Sequence, residues 1–544
     1  MKYKHITNLK LFLLLLFFLA LLTGIYVPVY SDEIVNKFYS ARFFLDNGEK
    51  ITLFPQCTNT LGNMTSWVFY PAAITFSSIY ADLEPLGIRI SGIILGFSWV
   101  TLLAYWCRKE FALNWINQYA FLLAFLSLGV IPYLWVLSRP EQFMILSILI
   151  LTVLALHPVK NQKITSLLIY STILILLLSS FFYVHPKSLF YTPFILLATW
   201  LASSNLPFPA RIALISYVVA LVTQTYQDAG LFSNCDTAPM TKQLLVSGTL
   251  QPSIFLQEPL TFLSAFINNL IHFPERILNH TIFSSFFQSG WLPPLTYEVP
   301  FLKALNNVIY FVLLIFIMAT YLLVPIYSIF LLIRRKITPA ILLSLLLVFG
   351  SILNAGFYNN QNFYDGLLYF ASSIIILGIF IKDLHDKRIL ELRMLGVALK
   401  TLLFTASTAS LVSLMYMIAP NLINSAKYER INLLEQPLST PLFGVDKYIS
   451  KIRSVGNQCG IPTSDSAYIV IDNLTYFAYY KNSTPLNLLY IGSGFFAPEL
   501  KGKNLYDLLK KLNSPGIIAS CNHFPSYFHQ TMHKDGQFCC IKIN

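Results

Sequence analysis

Long apolar runs broken by short polar corners set the pattern of this chain up to about residue 419. Eleven of them read as membrane-crossing helices, for which about 20 apolar residues are needed. They fall near 9–29, 86–106, 119–137, 143–157, 164–183, 188–202, 212–225, 301–333, 337–355, 366–381 and 395–418. The run at 301–333 is kept as one tilted span. Splitting it would put Arg334, Arg335 and Lys336 outside, against the tendency of Lys and Arg to stay on the cytoplasmic side. Arg108 and Lys109, Lys160 and Lys163, and the basic stretch 382–393 then all lie inside, which gives a cytoplasmic N-terminus and an external C-terminus. The first run lacks a small-x-small cleavage site and is followed by many more spans, so it reads as retained.

Two external segments are long. The first, 30–85, opens with Asp32 and Glu33 and then places Ile34, Phe38, Ala41 and Leu45 at the spacing of an amphipathic helix. It continues through Pro55 and Cys57 to an aromatic patch of Trp67, Phe69 and Tyr70. The second, 226–300, alternates from Phe255 to Phe287 as helices lying on a membrane surface do. Beyond residue 420 the polarity becomes ordinary. A buried strand over 468–471, a helix over 505–512 and a strand over 516–520 after a Ser-Pro-Gly turn predict a small α/β domain. The expected fold is therefore a polytopic α-helical membrane domain, 1–419, with an extracytoplasmic α/β domain, 420–544. No internal repeat interrupts this scheme.

Composition agrees. Only 11% of the 544 residues are charged and 56% are hydrophobic, whereas roughly a quarter of a soluble protein is charged. The net charge of +12 lies mostly in short loops between apolar runs, so it reports topology and gives no reason to expect nucleic acid. Of seven cysteines, Cys107 alone falls at a cytoplasmic helix end. Cys57, Cys235, Cys459, Cys521, Cys539 and Cys540 fall outside, an even set suited to disulfides, with Cys459 and a C-terminal partner as one pairing.

Three external corners carry charge against hydrocarbon: Asp32-Glu33, Arg139-Pro140-Glu141 and His185-Pro186-Lys187. Each also has a plain reading, as interfacial anchors or a solvated loop start, because long side chains reach water from a helix end. Cations outside run against the positive-inside tendency, however, and two of the three corners hold one. Adjacent carboxylates raise one another's pKa, so one can serve as a base near neutral pH. Arginine's planar fork suits phosphate oxygens. A substrate with a phosphate head and an apolar tail would set its head among these groups.

The order of first span, external Asp-Glu, surface helix, and later RPE and HPK corners resembles the GT-C class of polytopic glycosyltransferases. That class includes protein O-mannosyltransferases and the aminoarabinose transferases of lipid A. The resemblance implies inverting transfer of a sugar from a polyprenyl-phosphate donor on the outer face of the membrane, in a bacterial inner membrane. Asp32 would be the base that activates an acceptor hydroxyl, and Glu33 would orient sugar or acceptor. Arg139, His185 and Lys187 would neutralise the leaving phosphate, with Glu141 in support. Divalent metal use varies within the class, and no His/Asp cluster here decides it. No sequon-reading motif of the oligosaccharyltransferases is present.

Two other readings compete. An O-antigen-type polymerase or ligase also has many spans and large external loops, but would favour external Arg and His over an early Asp-Glu pair. A transporter would place ionisable residues in mid-span and repeat its halves, and neither is seen. Asp236 and the His272–Glu275–Arg276 group lie in the second external segment, where acceptor contacts or a solvated helix are both expected. Acceptor patterns for N-glycosylation start at Asn63, Asn279, Asn473 and Asn482, about as many as chance gives in such a chain. Asp365 reads as a helix-end residue.

Overall fold

The computed structural model describes residues 82–111, 125–159, 164–233, 248–281, 300–359, 365–387, 401–413, 445–464, 467–482, 485–491 and 500–543, with short pieces chiefly between 15 and 34 and at 439–440. In chain order its helices are α1 (Pro85–Phe111), α2 (Ile131–Val136), α3 (Pro140–Leu156), α4 (Ile164–Val184), α5 (Thr192–Ala202), α6 (Phe208–Ser233), α7 (Pro259–Thr281), α8 (Pro300–Ile333), α9 (Pro339–Phe357), α10 (Asp365–Asp386) and α11 (Thr401–Ser413). Two further helices, α12 (Val445–Gln458) and α13 (Lys503–Lys511), belong to the C-terminal region.

Among the described residues six helices are long and apolar enough to cross a membrane: α1, α4, α6, α8, α9 and α10. The helices α3 and α11 are apolar but shorter. Eleven spans were expected, and the difference has local causes. The run at 188–202 begins with a 3-10 turn, Pro186–Tyr191, and leaves only 11 residues of α-helix in α5. That is about 16 Å of rise, against roughly 30 Å of hydrocarbon. Of the 119–137 run, the described part is a turn followed by six helical residues in α2. Most of the first run lies outside the described residues, as do the ends of the last, the surface helix expected beyond Ile34, the 67–70 aromatic patch, Cys57, Cys235, Asp236, Asn63 and the 419/420 boundary.

α8 is one continuous helix of 34 residues, as its charge flank required. A π-turn at Ala319–Leu323 lets Tyr321 reach inward to the Tyr369 carbonyl at 3.3 Å. α10 is the central element, with most of its surface inside the bundle. α4 and α6 sit at the periphery and leave Leu168, Ile169, Leu176 and Val219 exposed, a surface that suits lipid and would promote association in water. The amphipathic α7 turns Leu260 (81% exposed) and Ile271 (68%) outward and buries Phe262, Phe273 and Ile277. Asn269 and Arg276 fix it to the C-terminal end of α9 through the Gly356 and Asn359 carbonyls, both at 2.8 Å. His272 and Glu275, 3.8 Å apart and at least half exposed, form a solvated pair on its surface.

The C-terminal region is a five-stranded mixed sheet, order β4-β3-β5-β7-β6, with β3 (Ile469–Ile471), β4 (Pro485–Asn487), β5 (Gly516–Ser520), β6 (His533–Asp535) and β7 (Phe538–Lys542). Alternate side chains along β5 point to opposite faces. Ile518 joins Tyr448 and Ile452 of α12, while Ile517 and Ala519 join Leu505 and Leu509 of α13. The two strands and the helix expected near 505–512 are thus present. Disulfides join Cys459 to Cys540 and Cys521 to Cys539, and Cys107 is buried and free. Asn473 and Asn482 are buried in this domain, which removes both as surface acceptors for glycosylation.

The α12 face also packs with Val29, Ile34, Tyr80 and Ile88. A short antiparallel pair, β1 (Val29–Tyr30) with β2 (Ser439–Thr440), completes the attachment. The domain therefore rests on the segment around residues 29–34 and the N-terminal end of α1.

Asp472, immediately after β3, hydrogen-bonds His523 Nδ1 at 2.9 Å and raises the imidazole pKa above its ordinary 6.5. A raised folded-state pKa stabilises the fold fully below the unfolded value and loses that contribution as pH climbs through the folded one. Denaturant midpoints of the C-terminal region are therefore expected to fall as pH rises upward from 6.5. The His523→Gln variant should lack that slope, and parallel titrations would refute the linkage.

Candidate active site

Proline at the first turn builds the corners. Pro140 opens α3 after an extended Arg139 (φ −111°, ψ 147°), and Pro186 opens the next 3-10 turn after an extended His185. The residue before proline is pushed out of the helical region, so the chain must break there and the flanking charged side chains sit at helix ends. His185 Nδ1 accepts the Lys187 backbone N–H at 3.1 Å. Accepting at Nδ1 puts the proton of a neutral imidazole on Nε2.

The RPE and HPK corners come together. Glu141 Oε2 is 3.4 Å from Arg139 Nε, and its Oε1 is 3.4 Å from Lys187 Nζ. Lys187 Nζ also pairs with Asp365 at the start of α10, and lies 5.4 Å from the centre of the Tyr358 ring. Arg139, Glu141, Lys187 and Asp365 thus form a line of alternating charge, all of it buried. A charge taken out of water costs several kcal/mol unless it is paired and hydrogen-bonded, so each member requires its neighbour.

The Asp32–Glu33 turn (Ser31–Ile34) joins the same corner through Glu33. Arg89 of α1 holds the Glu33 carboxylate with both ends of its fork, Nη1 to Oε1 and Nη2 to Oε2 at 2.7 Å each. Glu33 Oε1 further accepts the Ser138 N–H at 2.7 Å and the Ser138 hydroxyl at 3.0 Å, one residue before Arg139. Arg89 Nη1 donates in addition to the Val136 carbonyl at 3.0 Å. Gly92 makes this approach of α1 to α2 possible, because a Cβ there would lie 2.5 Å from the Val136 oxygen. Glu33 and Arg89 are both fully buried. The Asp32 side chain lies outside the described residues.

Of the six residues expected at the site, Glu33, Arg139, Glu141, His185 and Lys187 have described side chains, and these lie in one connected region. Glu33 ties Asp32 to the Arg139 corner, Glu141 bridges Arg139 and Lys187, and His185 caps the turn that carries Lys187. Arg89, Ser138, Asp365 and Tyr358 complete the set. Arg89 had a readable signal, a cation at the outer end of an apolar run, like Arg139. Asp365 is the helix-end residue expected, but it is buried against Lys187. Among the described residues no group of three or more His, Cys, Asp or Glu side chains is placed to hold a metal.

Fold and site define a helical, multi-span membrane protein with a small C-terminal mixed-sheet region and a buried cluster of paired charges. Its structure is similar to that of ArnT from Cupriavidus metallidurans bound to undecaprenyl phosphate, at TM-score 0.41 and 10% identity over 99% of this chain and 98% of that one. It is also similar to the oligosaccharyltransferase AglB from Archaeoglobus fulgidus in complex with an inhibitory peptide and a dolichol-phosphate, at TM-score 0.42 and 14% identity over 94% of this chain and 69% of that one. At these scores each is a likeness of arrangement only. No family model matches the sequence, and no curated protein matches it.

Proposed function

We propose that the protein is an inverting glycosyltransferase that moves a sugar from a polyprenyl-phosphate donor to a hydroxyl of a lipid, glycan or protein acceptor, on the outer face of a bacterial inner membrane. The N-terminus is then cytoplasmic and the C-terminal domain periplasmic. One observation carries the reading. Charges from three separate corners and from the start of α10 meet at the end of the bundle beneath the outer domain. A lipid-linked substrate would keep its tail in the bilayer and reach this region with its phosphate.

In the reaction the acceptor oxygen attacks the anomeric carbon as the bond to the phosphate oxygen breaks. Asp32 takes the hydroxyl proton, and the polyprenyl phosphate leaves with the bonding electrons. Glu33, held by Arg89 and Ser138, acts as a positioning residue that sets the turn bearing Asp32. The leaving phosphate is assigned to Arg139 and His185, while Lys187 faces two carboxylates. Lys187 then holds the corners together.

The test is transfer of label from radioactive polyprenyl-phosphate sugars in membranes. A positioned base contributes about 10²–10⁴-fold, and Asp32→Asn is expected to lower the rate by that range with the protein still inserted. Unchanged transfer by this variant would remove Asp32 as the base.

A further inference from the structure

We propose that Arg276 is a positioning residue for the transfer site, acting from α7 through the Tyr358 ring on Lys187. That role rests on the reading of the charged cluster as the place of transfer.

α7 carries Phe262, Phe266, Asn269, Phe273 and Arg276 at alternating steps of four and three residues, so one face presents them all. That face grips the turn at the C-terminal end of α9. Phe262 and Phe266 pack on the Phe357 ring, with centroids 5.6 and 5.7 Å away, and a Cβ at Gly356 would collide with the Phe266 ring. Asn269 Nδ2 donates to the Gly356 carbonyl at 2.8 Å and to Asn359 Oδ1 at 3.0 Å. Arg276 Nη1 donates to the Asn359 carbonyl at 2.8 Å and to Asn269 Oδ1 at 3.2 Å. The stretch before α7 adds two backbone bonds: Leu250 N–H to the Phe357 carbonyl at 2.7 Å, and Asn359 N–H to the Gly248 carbonyl at 3.0 Å. Residues 356–359 are thus clamped throughout by the 248–281 segment. Arg276 is the cation of that clamp, and both its acceptors lie in the clamp itself.

The turn matters for what it carries. Tyr358, extended at φ −91° and ψ 117°, sets its ring 5.4 Å from Lys187 Nζ. A cation beside an aromatic face is attracted to it, more strongly out of water. Phe190 follows Lys187 in the same 3-10 turn and packs on both Phe357 and Tyr358, with centroids 5.3 and 5.9 Å away. A shift of residues 356–359 therefore reaches the side chain of Lys187 and the turn that bears it. From Lys187 it passes through Glu141 to Arg139. Misplacing reacting groups by about 1 Å can cost 10²-fold in rate.

Hydrogen–deuterium exchange on the full chain in nanodiscs tests this, with transfer of label from radioactive polyprenyl-phosphate sugars as the second readout. In Arg276→Met the amides of 356–359 and of 186–191 are expected to exchange about tenfold faster, the scale of one hydrogen bond to a charged group. The transfer rate constant should fall by about 10–10²-fold while the donor KM stays within about threefold. Arg276→Lys keeps a donor there and should restore most of both. Tyr358→Leu removes the ring but not the backbone clamp, so it should speed exchange at 186–191 and not at 356–359. This second variant decides the matter even if Arg276→Met fails to fold. Glu275→Gln, on the exposed side of α7, should change neither readout. Wild-type exchange at 186–191 in a folded Arg276→Met or in Tyr358→Leu overturns the proposal, with or without sugar transfer. So does a donor KM that rises while the rate constant holds. Absence of transfer by the wild type refutes the transferase reading instead, and the exchange rates alone then decide whether Arg276 positions Lys187.

Discussion

Replacing Arg89 with methionine is expected to destabilise the folded chain by about 3–5 kcal/mol, the usual cost of leaving one partner of a buried ion pair uncompensated. Glu33 would keep the Ser138 donors but lose the cation that holds both of its carboxylate oxygens. Protonation could relieve part of that cost, so the loss should be smaller at low pH. The double variant Glu33→Gln/Arg89→Met removes both charges and should recover most of the stability. Denaturant unfolding of all four forms closes a double-mutant cycle and isolates the pair. Transfer gives the second readout. If Glu33 serves to set the turn bearing Asp32, the double variant folds yet transfers slowly, with the rate constant falling more than the donor KM rises. A single Arg89 variant as stable as wild type would show that the clamp holds nothing.

A second large effect is expected at Lys187. Lys187→Met takes away the cation paired with Asp365, while Glu141 retains Arg139. The expected cost is again about 3–5 kcal/mol, and Lys187→Met/Asp365→Asn should restore most of it. The same double variant separates positioning from phosphate binding. As a brace, Lys187 can be lost with its partner and leave the donor KM within about threefold. A KM rise of about tenfold or more in a well-folded double variant would mean direct contact with the donor.

How much of this could be read from the chain differs by level. The single long helix at 300–333, the amphipathic helix in 259–281 and the strand at 516–520 were legible because each is a local pattern of period or charge. The 188–202 run misled because hydropathy does not register where a helix begins. Pro186 and the 3-10 turn after it use up the first residues of an apolar stretch. At the site, the three charged corners were legible as cations and acids at span ends. Their pairings were not, since the partners lie far apart in sequence: Glu33 with Arg89 and Ser138, and Lys187 with Asp365. Arg89, near the start of its helix, could be noticed as a cation at the end of an apolar run, but its partner Glu33 could not be read from local sequence. Among the cysteines, the pairing of Cys459 with the C-terminal end was foreseen, and that of Cys521 with Cys539 depended on the register of β5 against β7.

The union of Val29–Tyr30 with Ser439–Thr440 has a consequence for biogenesis. The strand beside Asp32 leaves the ribosome early, but its mate emerges only after the bundle has been translated. Nascent and prematurely terminated chains therefore lack the brace that seats the acidic turn. Such a polypeptide would insert into the bilayer yet lack a seated acidic turn until about four-fifths of the chain had been made.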